Sequence, residues 1–223
     1  LAGLDDPVEA LVGGCDDLLA PRPLGPLHEA VRGRPPGPLA ASLDGPVEEV
    51  YDAAVEQLSG GRPTVLVVED VHWADDATLD LLRYLGRRLE VRRAMLVVTY
   101  RSDEVGPRHP LRVVAGDLAT LAVVRRLAVP MLSRDAVAQL AADSGVDPDE
   151  LHGRTGGNAF FVTQVLADHR AEASDTVPAT VRDAVLARAA RLSPAARDAL
   201  DALACIGPRA LPSLVGAVAR SPA

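Results

Sequence analysis

There is no lysine among the 223 residues. A phosphate-binding P-loop needs a glycine-rich turn whose N–H groups cradle phosphates, a lysine on the β- and γ-phosphates and a Ser or Thr on the metal. No such loop lies within these residues. The glycine pairs Gly13-Gly14 and Gly60-Gly61 also lack its spacing. Cysteine is nearly absent. Cys15 and Cys205 stand far apart without metal-ligand spacing, which reads as two reduced, buried thiols in the cytosol. No apolar run approaches the roughly 18–20 residues of a membrane span, and no signal peptide opens the chain. Cations are outnumbered, 23 against 31 acidic side chains, for a formal charge of −8 and a pI of about 5.1. A nucleic-acid surface needs clustered cations to displace condensed counterions, so none is expected here.

Apolar side chains, in contrast, make up 48% of the chain, ample for one large domain or two small ones. The chain starts at Leu1 rather than Met, which reads as part of something longer. Four short runs rich in Val, Leu and Ala read as buried strands: Ala10 to Gly14, Thr64 to Glu69, Ala94 to Tyr100 and Val123 to Leu127. Helical spacing between them predicts a parallel α/β sheet. In "DATLDLLRYLGRRL" Leu82, Leu85 and Leu89 share a face, and Asp75 or Asp76 can cap the amino end. Pro and Gly crowd Pro21 to Pro46, which reads as a long irregular connection. From Ser133 the pattern is helical only, with a Ser133 cap, a stop at Gly145, a Gly-Gly break at Gly156, and a helix opened by Ser193 and Pro194. These features predict an α/β domain over 1–132, a helical lid over 133–175 and a helical segment over 176–223, with a soft boundary from Ala171 to Thr176.

In "VLVVEDVHWADD" an aliphatic strand runs straight into Glu69, Asp70, Asp75 and Asp76. A parallel strand delivers its last residues to the carboxyl edge of the sheet, where ligands bind in open α/β folds. One carboxylate there can hold Mg²⁺, usually through water, while its neighbour orients an attacking water. Val65 to Asp70 fits this Walker B pattern. About thirty residues on, "AMLVVTYRSDE" repeats the design and ends in Thr99, Tyr100 and Arg101. Arg101 suits an anion because a planar guanidinium donates two parallel hydrogen bonds.

The segments "VLVVEDVHWADDATLDLLRYLGRRL", "LVVTYRSDE" and "RTGGNAFFVTQVL", in that order, resemble the ATPase region of large LuxR-type transcriptional regulators, and "GGCDDLLAPRPLGPLHEA" resembles the stretch after the Walker A helix of that family. These regulators are signal-transducing, AAA-related P-loop NTPases. The resemblance implies a P-loop NTPase-like sheet whose central strand, with the Walker A loop, is missing here, then a helical lid and the start of a winged-helix region. It implies ATP and Mg²⁺ as cofactors. Glu69 and Asp70 take the metal and catalytic positions in an order left open, and Arg101 takes that of the sensor arginine. Gly156, Gly157 and Asn158 fall in the turn that leans on the adenine, where Ala159 replaces the usual proline. The parent would be an ATP-dependent switch, at most a weak ATPase, acting in the cytoplasm and self-associating or binding a protein partner, with no DNA contact by this segment.

Plainer alternatives stand beside each assignment. Trp73 reads equally as a packing anchor or a ligand contact, His72 as a loop hydrogen-bonder, and Phe160 and Phe161 as core. The P-loop either lies upstream of Leu1, since "LAGLDD" looks like the tail of the helix after Walker A, or this is a degenerate NTPase fold used as a non-catalytic interaction module. A metal-dependent hydrolase built on Glu69, Asp70, Asp75 and Asp76 is a third reading.

Overall fold

The computed structural model describes residues 8–89, 93–170, 179–207 and 210–219. The stretch "LAGLDD" and the boundary expected at Ala171 to Thr176 lie outside the described residues. The chain divides into two units, Leu1–Leu127 and Ala128–Ala223.

In the first unit, three parallel strands, β1 (Glu9–Gly14), β2 (Thr64–Glu69) and β3 (Ala94–Val98), lie in the order β1-β2-β3. Leu11, Leu66 and Leu96 are in register, as are Gly13, Val68 and Val98. This row forms the core face, with Leu11, Leu66 and Val68 each 1% exposed. Against it pack α1 (Gly25–Val31), α3 (Val47–Leu58) and α4 (Asp76–Gly86) through Leu27, Val50, Leu58, Leu79, Leu82 and Leu85. Each such leucine contributes about 1.5–3 kcal/mol by leaving water. A Cβ on Gly13 would stand 1.9 Å from the Pro26 carbonyl oxygen, so α1 seats on β1 only because that position has no side chain. The opposite face carries Val12 (46% exposed), Val65, Val67, Met95 (60% exposed) and Val97. Parallel sheets are ordinarily covered on both faces. Here one face remains partly open.

Two expectations are corrected in this unit. Pro21 to Pro46 is not irregular throughout, because it holds α1 and α2 (Pro38–Ser42), each with Pro in its first turn. That position needs no intrahelical N–H bond, so proline there starts a helix instead of breaking one. Val123 to Leu127 is not a strand: it follows α5 (Pro110–Ala119) as turn and coil, with Leu127 85% exposed, and it joins no ladder. Two arginines interrupt its apolar run, and no neighbour buries it.

The second unit is described as helices. Ser133 caps α6 (Arg134–Ala141) through the Ala136 N–H at 3.1 Å, and Gly145 follows at φ +76°. Together α6, α7 (Pro148–Thr155) and α8 (Ala159–Arg170) enclose Val137, Ala141, Leu151, Val162 and Leu166. Then come α9 (Ala179–Ala190), α10 (Pro194–Ile206), capped by Ser193, and α11 (Pro212–Val218). Phe160, expected in the core, is 46% exposed, because Asn158 starts the helix in a phase that turns this ring outward. Cys205, expected to be buried, is exposed on α10, whereas Cys15 is buried. Among the described residues no helix is long and apolar enough to cross a membrane.

Candidate functional site

Because all three strands run the same way, their carboxyl ends bring Gly14 and Cys15, then Glu69 and Asp70, then Thr99, Tyr100 and Arg101 to one edge. Glu69 ends β2 with an exposed side chain. Asp70 then turns the chain at φ 53°, ψ 42°, a left-handed conformation that Asp tolerates better than most residues. The turn is held from the neighbouring strand. Thr99 Oγ1 accepts the Asp70 N–H at 3.1 Å, and the Thr99 carbonyl accepts the Val71 N–H at 2.9 Å. A single 3₁₀ turn follows over Val71–Trp73, with Val71 fully buried.

The four carboxylates of this stretch have different tasks. Asp75 caps α4: one oxygen accepts the Thr78 N–H at 3.0 Å and the other accepts the Thr78 hydroxyl. Asp76 occupies the first helical turn, where the helix dipole favours negative charge. Glu69 and Asp70 have no such capping task. Among the described residues no group of three His, Cys, Asp or Glu is arranged to hold a metal, so the four-carboxylate hydrolase site does not form.

His72, with its side chain 1% exposed, sits at the centre of this edge. Its Nδ1 accepts the Arg101 N–H at 3.4 Å and lies 3.8 Å from Asp70 Oδ1. With Nδ1 accepting, the proton belongs on Nε2. That nitrogen lies 3.4 Å from Glu104 Oε2 but lacks hydrogen-bond geometry. His109 caps α5 by accepting the Leu111 N–H at Nδ1, and its Nε2 donates to the His72 carbonyl at 3.0 Å. Arg101 reaches Glu104 Oε1 with Nη1 at 3.1 Å, and its guanidinium carbon stands 6.0 Å from the Trp73 ring centre. Trp73 also packs against the core, so it is both an anchor and a neighbour of Arg101. The sequence reading did not assign Glu104 or His109. Glu104 closes the quoted "YRSDE", and His109 precedes a proline at a helix start, the only signal either one gives.

Acidic charge gathers at this edge. The Cys15 thiol is pushed up to about 12, by burial first and then by Asp75, Asp70 and Asp16. It is therefore a neutral packing group and not a nucleophile. A cavity of about 250 Å³ opens beside it, lined by Asp16, Arg22, His28, Glu29, Trp73 and Asp75. Burial and Arg22 lower the His28 pKa, with Asp44 opposing. That volume is below the roughly 300–1,000 Å³ of ordinary ligand pockets, so this cavity alone does not enclose a nucleotide.

Gly156, Gly157 and Asn158 belong to the second unit, and each has a local task there. Gly156 ends α7 at φ +59° with its N–H on the His152 carbonyl at 2.9 Å. Gly157, at φ +75°, has no room for a side chain, since a Cβ would stand 2.3 Å from the Leu132 carbonyl oxygen. Its own carbonyl accepts the Leu132 N–H at 2.8 Å. Asn158 Oδ1 caps α8 through the Phe160 N–H at 3.0 Å.

The result is a parallel α/β sheet with one acid ending β2, a second directly after it, and an arginine following β3 at the same edge. Residues 4–98, which take in all three strands, match the sequence family described as the AAA ATPase domain, and this supports an AAA-type P-loop NTPase region with a nucleotide-binding character. Arg101 and the second unit fall beyond the matched residues. No curated protein and no solved structure matches the chain.

Proposed function

We propose that this chain is the ATP-binding switch region of a LuxR-type transcriptional regulator acting in the cytoplasm. The observation that carries the reading is the shared edge: Glu69 ends β2, Asp70 follows it, and Arg101 follows β3, joined through Thr99 and His72. The order of the sequence motifs supports the regulator family. Glu69 and Asp70 are oxygen donors at an accessible edge, which suits a Mg²⁺ that keeps most of its waters and binds through one or two carboxylates and substrate phosphates. When bound, such an ion neutralises charge on the phosphate oxygens.

The chain's own residues then divide the work. Whichever of Glu69 and Asp70 does not hold the metal water accepts a hydrogen bond from the attacking water, and Arg101 donates to the terminal phosphate. Hydrolysis would be slow, and it belongs to a protein that also supplies a lysine-bearing loop, since these residues have none. The Gly156–Asn158 turn is proposed as a nucleotide contact in addition to its local role. The helices after Thr176 are proposed as the start of a winged-helix portion without a DNA-reading helix.

Calorimetric titration with Mg-ATP tests the reading. Saturable heat that the Glu69→Ala, Asp70→Ala double variant loses would support it. Equal heats in both proteins would sink the assignment of this pair. No heat in either would leave a switch region that binds only together with a lysine-bearing loop, or a second reading, a degenerate NTPase fold serving as a protein-interaction module. The exposed Val12 and Met95 on an otherwise apolar sheet face give that reading its own support, as a surface for self-association.

A further inference from the structure

We propose that Glu104 is an internal stand-in for phosphate: its carboxylate holds the Arg101 guanidinium until an anionic phosphate group displaces it. The proposal rests on the reading of Arg101 as a phosphate contact and adds the group that competes for it.

Glu104 is held by Arg101 beside a buried imidazole. Its Oε1 accepts from Arg101 Nη1 at 3.1 Å, and its Oε2 lies 3.4 Å from His72 Nε2, a buried nitrogen that makes no hydrogen bond among the described residues. The same imidazole accepts the Arg101 backbone N–H on its other side at 3.4 Å. One ring thus fixes the root of Arg101 and lies beside the carboxylate that its tip grasps. The ring cannot swing away, because it is buried and its own carbonyl is tied to His109. The turn closes further through the Glu104 N–H on the Arg101 carbonyl at 3.2 Å.

Glu104 and Arg101 differ from this rigid centre in reaching toward solvent, with side chains 27% and 46% exposed. An ion pair this exposed is weak, so a competing anion meets a penalty of no more than about fivefold. A carboxylate also presents two oxygens to a guanidinium in the geometry that phosphate uses.

Trp73, the one tryptophan, has its ring centre 4.5 Å from that of His72 and 6.0 Å from the Arg101 guanidinium carbon, so its fluorescence reports the exchange. The experiment is titration with inorganic pyrophosphate of the wild-type chain, Glu104→Gln and Arg101→Ala. We expect Glu104→Gln to saturate at about fivefold lower pyrophosphate than wild type, and Arg101→Ala not to respond. A response in Glu104→Gln alone would support the proposal equally. If Glu104→Gln and wild type share one midpoint while Arg101→Ala is silent, the stand-in is overturned and Arg101 remains a phosphate contact. If Arg101→Ala responds like wild type, or Glu104→Gln does not respond at all, the phosphate role of Arg101 is overturned as well.

Discussion

Along the outer edge of β1 the Gly14 N–H is taken by Glu29 Oε2 at 2.7 Å and the Ala10 carbonyl by the Arg34 guanidinium, which also pairs with Glu9 at 3.5 Å. The outer edge of β3 is finished otherwise. The Thr64 N–H reaches the Arg93 carbonyl and the Thr99 N–H reaches the Val68 carbonyl, so alternate residues of β3 face β2 and Ala94, Leu96 and Val98 point their backbone groups away from it. No partner for those groups is found among the described residues. An unpaired edge of this kind is a template for another strand, and natural proteins usually blunt it with charge, proline or a covering element. Side chains reaching back from α1 and the turn after it blunt β1; among the described residues β3 has nothing comparable. The half-open sheet face follows the same division, since Met95 on β3 is its most exposed member.

The contrast between the two faces is the easiest to break. Leu66 lies at the centre of the covered face with 1% exposure, and Val12 lies on the open face at 46%. Leu66→Ala should cost about 2–5 kcal/mol, the usual range for emptying a packed core site. Val12→Ala should cost less than about 1 kcal/mol, because the removed methyls are already partly wet. Chemical denaturation of both variants reads the difference. Equal losses would mean that the second face is covered in solution.

Proline sharpens the contrast between the edges. By the alternation along β3, the Met95 N–H points to the Thr64 carbonyl while the Ala94 N–H points outward. Met95→Pro should therefore strand a carbonyl and cost at least about 1–3 kcal/mol. Ala94→Pro removes no ladder bond and sits at a strand start, where proline is accepted. We expect its unfolding midpoint to stay near wild type. A large loss for Ala94→Pro would show that another strand occupies this edge.

These contrasts also explain what could be read from the chain. Thr64–Glu69 was legible because a short aliphatic run ended by acids has few other uses, and the same logic placed Glu69, Asp70 and Arg101 at strand ends. Val123 to Leu127 has a similar composition and is exposed coil, because a short apolar run becomes a strand only where a neighbour accepts it. The choice between Asp75 and Asp76 as cap needed geometry, as either residue satisfies the rule. The His72, Arg101 and Glu104 contacts were not legible. Those of His72 join residues 29 and 32 positions apart whose meeting depends on the β2–β3 register.

The smallest effect expected concerns the two cysteines, one under the closed edge and one on an exposed helix. Burial pushes the Cys15 thiol up to about 12 in the folded protein, from an ordinary value of 9.0. Between those values the unfolded chain releases the proton and the folded one keeps it. The folded state thus binds more protons, and stability falls as pH rises. The contribution is whole below about pH 9 and is lost progressively toward pH 12. Cys15→Ser should flatten that decline in denaturation midpoints measured from pH 8 to 10, whereas Cys205→Ser should leave its slope unchanged. Thiol labelling separates them in the same window: Cys205 should react promptly, and Cys15 only as fast as the protein opens. Prompt labelling of both would mean that the β1 end is not sealed by α1, and the closed edge would lose its distinction from the open one.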